Sequence, residues 1–281
     1  MIPPSILITG CSSGIGLCVA EGLAARGYRV FATARKTQDV AMLQARGLEA
    51  LQLDLDDSAS IQAAVDEVFA RTGGRLNALF NNAGYGQPGA VEDLSRNALR
   101  AQFETNLFGM IELTNRVLPV MRRQAAGRII INSSVLGYVA LAYRGAYNAS
   151  KFAIEGITDT LRLELRGSGV HVALVEPGPI KSRFRANAFS LYQRNIDAEN
   201  SFHRDTYHKL EQRLTKVGPA APFTLGPEAV LEKVIHALES ERPKRRYYVT
   251  KPAYLLAYAK RLLPQALLDR ILGAISDNEV K

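Results

Sequence analysis

The chain has 281 residues, 47% of them hydrophobic, and a formal net charge of +8. That length suits one large α/β domain or two small ones, and the apolar content excludes an intrinsically disordered chain. No run approaches the roughly 18–20 apolar residues of a membrane-spanning helix, and MIPPSILITG offers neither a basic leader nor a small-residue cleavage site, so no signal peptide is read. The only cysteines, Cys11 and Cys18, form no disulfide framework and point to a reducing, cytoplasmic setting. Charge is uneven: residues 1–180 hold 17 basic and 16 acidic side chains, residues 181–281 hold 18 and 11. The basic residues are scattered through helical patterns with no nucleic-acid-binding module, so nucleic acid is not the expected partner.

Ser5–Thr9 is a short apolar run ending at glycines, the mark of a buried strand. Gly14–Arg26 follows with helical spacing of Ile15, Val19 and Leu23 and a stop at Gly27. Arg29–Ala34 and Ala50–Leu55 read as the next strands, and Ser58–Arg71 as a helix with Ser58 or Ser60 as N-cap. Asn77–Asn81 is a fourth strand, Arg96–Arg123 a long helical region, Arg128–Asn132 a fifth strand and Gly145–Arg166 a helix. Val170–Glu176 is a sixth strand, Pro227–Ser240 a helix and Arg246–Thr250 a seventh strand. Apolar strands alternating with helices predict a parallel sheet covered on both faces, joined by right-handed crossovers into a doubly wound Rossmann-type α/β fold. The whole span 1–281 is read as one domain: a core over 1–182, an insert over 183–225, and a helix, strand and basic amphipathic tail over 226–281.

Three motifs carry chemistry. Gly10, Gly14 and Gly16 sit between the first strand and the first helix, where glycines permit a tight turn, backbone approach to a pyrophosphate and close helix–strand packing. The helix start then favours phosphate oxygens. After the second strand the chain reads Ala34-Arg35-Lys36 without an acid. A carboxylate there would repel a ribose 2′-phosphate, whereas Arg35, with Ser13 and Lys36, can bind one, so NADP is expected over NAD. Tyr147 and Lys151 lie four residues apart and share a helix face. A free phenol has a pKa near 10, too high for a general base at neutral pH, and a neighbouring ammonium lowers it. Ser134, just past the fifth strand, can hold a carbonyl or alcohol oxygen, with Ser133 as the rival for that role. The four histidines show no ligand spacing, and no metal is expected.

The TGxxxGxG pattern, Asn81-Asn82-Ala83-Gly84 and the order Asn106, Ser134, Tyr147, Lys151 resemble the short-chain dehydrogenase/reductase family. The resemblance covers residues 5–182 strongly and 226–250 weakly. It implies a catalytic tetrad in which Asn106 holds a water linking Lys151 to solvent. It also implies that Asp54, and Leu55 beside it, lie near the adenine, and that Asn81, Ala83 and Gly84 support the sheet and the cofactor. Ser12 and Ile15 belong to the same phosphate loop. Pro177, Gly178, Ile180 and Ser182 resemble the PGxIxT segment that binds the nicotinamide carboxamide, with Ser182 in place of Thr.

Cys11-Ser12-Ser13, Arg35, Glu176-Pro177-Gly178-Pro179 and the basic tail look like the hydroxysteroid/retinol-dehydrogenase-like branch. The implied activity is hydride transfer between NADP(H) and an aldehyde, ketone or alcohol, with an apolar carbonyl reduced. The alternatives are a 3-oxoacyl-thioester reductase and a non-catalytic NADP-binding regulator. Phe184, Phe189, Tyr192, Phe202 and Tyr207 in the insert are candidate pocket walls, or else the core of a helical lid. Residues 252–275, divided at Pro264, pack within the protein or a homodimer or tetramer, or lie on a membrane surface.

Overall fold

The computed structural model describes residues 3–219 and 221–279; Met1, Ile2, Ala220, Val280 and Lys281, which fall within the expected core, insert and tail, lie outside the described residues. Seven parallel strands form one sheet: β1 (Ser5–Ile8), β2 (Arg29–Ala34), β3 (Glu49–Gln52), β4 (Ala78–Asn81), β5 (Gly127–Asn132), β6 (Val170–Pro177) and β7 (Arg246–Val249). Their spatial order is β3-β2-β1-β4-β5-β6-β7. The chain builds outward from β1 in one direction, then crosses back to β4, so a crevice opens between the ends of β1 and β4.

All four residues of β1 are buried, and alternation splits them between two layers. Leu7 joins Phe31, Leu79, Ile129 and Leu174 beneath α3 (Ser58–Thr72), α5 (Gly109–Arg123) and α6 (Gly145–Glu164). Ile6 and Ile8 join Val30, Phe80 and Val175 beneath α1 (Gly14–Ala25), α2 (Thr37–Ala45) and α9 (Glu228–Glu239). A sheet covered on both faces explains why its strands read as continuous apolar runs. Truncating any of these leucines costs about 2–5 kcal/mol.

The structure corrects four local expectations. Helix α2 was not foreseen, because Thr37–Ala45 has too weak an apolar stripe; only Leu43 is buried. The third strand stops at Gln52 rather than Leu55. The N-cap of α3 is Asp57, whose carboxylate accepts the Ala59 N–H at 2.9 Å; the Ser60 hydroxyl instead accepts the Asp54 N–H at 3.0 Å. The region 96–123 is not one regular helix. It is α4 (Arg96–Phe103), a π turn over Glu104–Phe108, and α5. Gly109 starts α5 hard against the chain beyond β3: a Cβ there would stand 2.0 Å from the Leu55 carbonyl oxygen.

The last third adds α7 (Phe184–Asn195), α8 (Arg204–Thr215), α10 (Lys251–Leu262) and α11 (Gln265–Glu279). Helices α7 and α8 pack around Tyr192, Tyr207, Leu210 and Leu214. Helix α11 lays Leu268 and Leu272 against Leu136 and Val139. Pro264 separates α10 from α11, as the sequence predicts. No helix among the described residues is long and apolar enough to cross a membrane.

Candidate active site

The loop after β1 is built by close approach. Gly10 has φ +71°, and a Cβ on it would stand 2.8 Å from Ala83 Cα; a Cβ on Gly16 would stand 2.2 Å from the Gly10 carbonyl oxygen. Ser13 precedes α1 without making a side-chain cap, so its hydroxyl and the first-turn N–H groups are available to an anion. Ile15 packs on the core layer beneath α1, α2 and α9. Gly14 has φ +58°, and a Cβ on it would stand 2.9 Å from Ser182 Cβ. Arg183 reaches the same loop, donating through Nη2 to the Ser12 carbonyl at 2.7 Å. The 182–184 segment therefore lies across the phosphate loop.

Arg35 and Lys36 follow β2 and are exposed. Gln52 fixes that corner by donating to the Arg35 carbonyl at 3.0 Å, and Lys36 is the residue before α2. Asp54 accepts the Asp56 N–H at 3.1 Å, which makes its carboxylate a turn cap, and Leu55 is buried beside it.

Asn81 donates to Thr114 Oγ1 at 2.9 Å and so ties β4 to α5. The cross-sheet support expected of Asn81 comes from Asn82 instead. Its Nδ2 donates to the Thr9 carbonyl at 2.9 Å, and its Oδ1 accepts from Asn132 Nδ2 at 3.0 Å. Ala83 N–H donates to Thr9 Oγ1 at 2.9 Å, and a Cβ on Gly84 would meet Asn106 Oδ1 at 3.1 Å.

Helix α6 brings Tyr147 and Lys151 against the end of β5. Ser134 starts a 3-10 turn and its Oγ accepts the Leu136 N–H at 3.1 Å. Burial pushes the Tyr147 phenol up to about 12, while the Ser134 hydroxyl beside it, and then Arg144, pull it down. Ser133 is not free to compete, because its Oγ donates to Glu155.

Lys151 is 5% exposed. Its Nζ donates to the Asn132 carbonyl at 2.7 Å and stands 5.7 Å from the centre of the Tyr147 ring. Burial brings its pKa down to about 8, opposed by Glu155. Its ammonium is directed at a strand-end carbonyl, and the groups that pull the phenol down are Ser134 first and then Arg144. Asn106, in the π turn, clamps residue 85, accepting its N–H at 3.1 Å and donating to its carbonyl at 3.0 Å. It also donates to Ser150 Oγ at 3.1 Å, so its side chain is occupied by protein.

Beyond β6, Gly178 N–H donates to the Val249 carbonyl at 3.0 Å, and a Cβ on Gly178 would meet Thr250 Oγ1 at 2.3 Å. Pro177 ends β6, and Ile180 bridges to Leu225. The Ser182 hydroxyl accepts the Phe184 N–H at 3.3 Å, at the start of α7. Of the five aromatic wall candidates, only Phe184 meets the site: its ring stands 5.3 Å from that of Tyr147, edge to face. Tyr192 and Tyr207 are buried in the lid core, Phe189 packs against it, and Phe202 is 94% exposed.

The glycine loop, the bare β2 corner and the Ser–Tyr–Lys cluster thus share one edge of one sheet, the carboxyl end of its strands. The short chain dehydrogenase family model matches residues 4–192. This chain belongs to the short-chain dehydrogenase family. It is 45% identical over 268 residues to the oxidoreductase YbbO of Escherichia coli, covering 95% of this chain and 93% of that one. It is 36% identical over 260 residues to human 17-beta-hydroxysteroid dehydrogenase type 1, covering 88% and 77%. Among solved structures, a Burkholderia phymatum short-chain dehydrogenase/reductase in complex with NAD superposes with a TM-score of 0.75 at 27% identity, covering 92% of each chain. A Burkholderia cenocepacia short-chain dehydrogenase in complex with NADP gives a TM-score of 0.75 at 25% identity, covering 96% and 98%. The family is one of oxidoreductases, and the relatives include hydroxysteroid- and retinol-dehydrogenase types.

Proposed function

We propose that this enzyme reduces an apolar aldehyde or ketone with NADPH, using Tyr147 as proton donor. The observation that carries the reading is the phenol of Tyr147 held beside the Ser134 hydroxyl, at the same sheet edge as the glycine loop. The loop fits a dinucleotide: Gly10 and Gly16 let it fold tightly against Ala83 and onto itself at the start of α1, Ser13 keeps an uncapped hydroxyl, and Arg35 and Lys36 place two exposed cations where a carboxylate would select NAD. Asp54, Leu55, Asn81, Ala83 and Gly84 would line that face, and Pro177, Gly178, Ile180 and Ser182 the nicotinamide end. NADPH, when bound, supplies the hydride.

Ser134 orients and polarises the carbonyl oxygen, and Tyr147 delivers a proton to it as negative charge develops. A phenol raised by burial holds its proton at neutral pH and can still give it to an alkoxide, the far stronger base. Lys151 supplies a buried positive charge behind Tyr147, and Asn106 holds the 85–87 loop that faces them. Phe184 closes the apolar side, against Tyr147.

Helix α10 supports an apolar substrate in a second way. It buries Ala253 and Ala257 and exposes Tyr254, Leu255, Tyr258 and Leu262 beside Lys251 and Arg261. A stripe of that composition suits an anionic membrane surface from which a lipid-like carbonyl could be taken. Exposed Phe152 and Ile157 on α6 suit assembly as a homodimer or tetramer.

The test is NADPH oxidation with long-chain aldehydes, retinal and ketosteroids, alongside short polar carbonyls and 3-oxoacyl thioesters, repeated with NADH. The reading expects the apolar compounds and NADPH to give the highest kcat/KM. Preference for acyl thioesters selects the thioester reductase. NADPH binding with no turnover on any carbonyl selects a regulator.

A further inference from the structure

Helix α6 does not stop engaging β5 at Lys151. Residues 147, 151 and 155 form one stripe four residues apart, and each meets a different residue of the same strand end: Tyr147 faces Ser134, Lys151 holds the Asn132 carbonyl and Glu155 holds the Ser133 hydroxyl. Glu155 is 7% exposed, and it sits in a tight seat. A Cβ on Gly137 would stand 2.9 Å from its Oε1 and 2.7 Å from Ser133 Oγ. On its far side, Arg246 of β7 donates to Glu155, to Glu176 Oε1 at 2.7 Å and to Asp159 Oδ2 at 2.8 Å. Glu176 of β6 is fully buried, and its Oε2 has no partner among the described residues.

We infer that Glu155 is a positioning residue for the reaction proposed above: it fixes the Ser133–Ser134 turn and supplies the negative charge that keeps Lys151 an ammonium at the pH where the enzyme works. The groups facing Glu155 are Lys151 and Asp159 on its own helix, Glu176 on β6, Arg246 and Tyr248 on β7, and Tyr138 in the segment after β5. Of the three carboxyls around Arg246, Glu155 and Glu176 are buried, and two buried carboxyls around one guanidinium cannot both ionise cheaply. Burial raises both carboxyls, but Glu155 accepts from Ser133 on Oε1 and from Arg246 on Oε2, whereas Glu176 is held on Oε1 alone and its Oε2 has no partner among the described residues, so Glu176 keeps the proton and Glu155 carries the charge. Lys151 is then a buried cation one turn from a buried anion, and removing that anion leaves only burial acting on it.

Glu155→Gln preserves shape and removes the charge. The Lys151 midpoint can be read without turnover, by NMR titration of the chain labelled with 13C at lysine Cε, with Lys151→Arg to assign the signal. The expected result is a midpoint about one pH unit lower in Glu155→Gln than in the parent, largely restored in Glu155→Asp. The alkaline limb of the NADPH-dependent reduction should move down by the same amount, with NADPH affinity, read from cofactor fluorescence, within about twofold. Ser133→Ala should lower kcat without moving the limb. Glu155→Gln that folds, binds NADPH and leaves the Lys151 midpoint in place overturns the assignment. If the parent shows no carbonyl reduction at all, the reaction proposed above fails, and the midpoint still decides whether Glu155 holds the charge of Lys151.

Discussion

Residues 5–177 and residues 183–279 hold their side chains by different means. In the first region short loops leave buried strands, and each site residue is fixed by backbone or by its immediate neighbours: Gly16 against the Gly10 carbonyl, Asn82 between Thr9 and Asn132, Lys151 on the Asn132 carbonyl. In the second, helices are tied down by long side chains. Arg213 pairs with Glu279 at 3.2 Å, Tyr207 bridges Ala90 and Asp93, and Phe202, Leu255 and Leu262 remain exposed. Chemistry that tolerates little displacement belongs on the first kind of scaffold, and a substrate-shaped wall that differs between relatives belongs on the second. Changes in 5–177, and at Arg246 of β7, which holds Glu155, should therefore act on kcat and on cofactor choice, and other changes in 183–279 on KM and stability.

The comparison is tested most strongly at Tyr147. Tyr147→Phe should lower kcat by roughly a thousandfold, within the range for loss of a general acid, while NADPH binding by fluorescence titration is unchanged. Next, Arg35→Glu should cost about a hundredfold in kcat/KM for NADPH and improve NADH, because a carboxylate repels the 2′-phosphate and accepts from the free ribose hydroxyl. Steady-state kinetics with both cofactors check it.

In the second region Tyr207→Phe removes an oxygen that accepts the Ala90 N–H at 2.9 Å and donates to Asp93 Oδ2 at 2.5 Å. It leaves a buried N–H unpartnered and should cost about 1–2 kcal/mol in denaturant unfolding, with kcat at saturating substrate nearly intact. Phe184→Ala should raise KM for a bulky apolar carbonyl about fivefold, in line with roughly 1 kcal/mol from losing part of an aromatic contact. A large fall in kcat from either variant would blur the division between the regions.

The smallest effect concerns Glu176. Its folded-state pKa lies above that of an unfolded glutamate, so its protonated form stabilises the fold at low pH. That stability is lost as pH rises from about 4.5 through about 8. Glu176→Gln should therefore match the parent in Tm near pH 5 and exceed it by a few degrees near pH 9; the opposite slope would contradict the burial argument.

Strands, the phosphate loop and the positions of Ser134, Tyr147 and Lys151 were legible because each lies in a short local pattern: an apolar run, a glycine spacing or a helical repeat. Asn82, Glu155 and Arg246 were not. Their roles exist only after β4, β5, α6 and β7 come together, and no local period marks a polar residue that will meet a strand end dozens of residues away. The π turn at Asn106 was invisible for the same reason, since its residues carry ordinary helical character. The sequence left the insert aromatics between two readings because an amphipathic helix buries tyrosines as readily against its neighbour as against a substrate; Tyr192 and Tyr207 take the first course. His203, outside any ligand spacing in the sequence, pairs with Glu92 and Tyr143 at the start of α8.

The central claim is that this chain passes hydride from NADPH to an apolar carbonyl while Tyr147 supplies the proton. NADPH carrying deuterium at the transferable C4 position, incubated with a long-chain aldehyde and followed by mass spectrometry, tests it directly. The account predicts an alcohol with deuterium on its carbinol carbon, formed by the parent enzyme and not detectably by Tyr147→Phe over the same time. Unlabelled alcohol, or equal labelling by the two proteins, would contradict it.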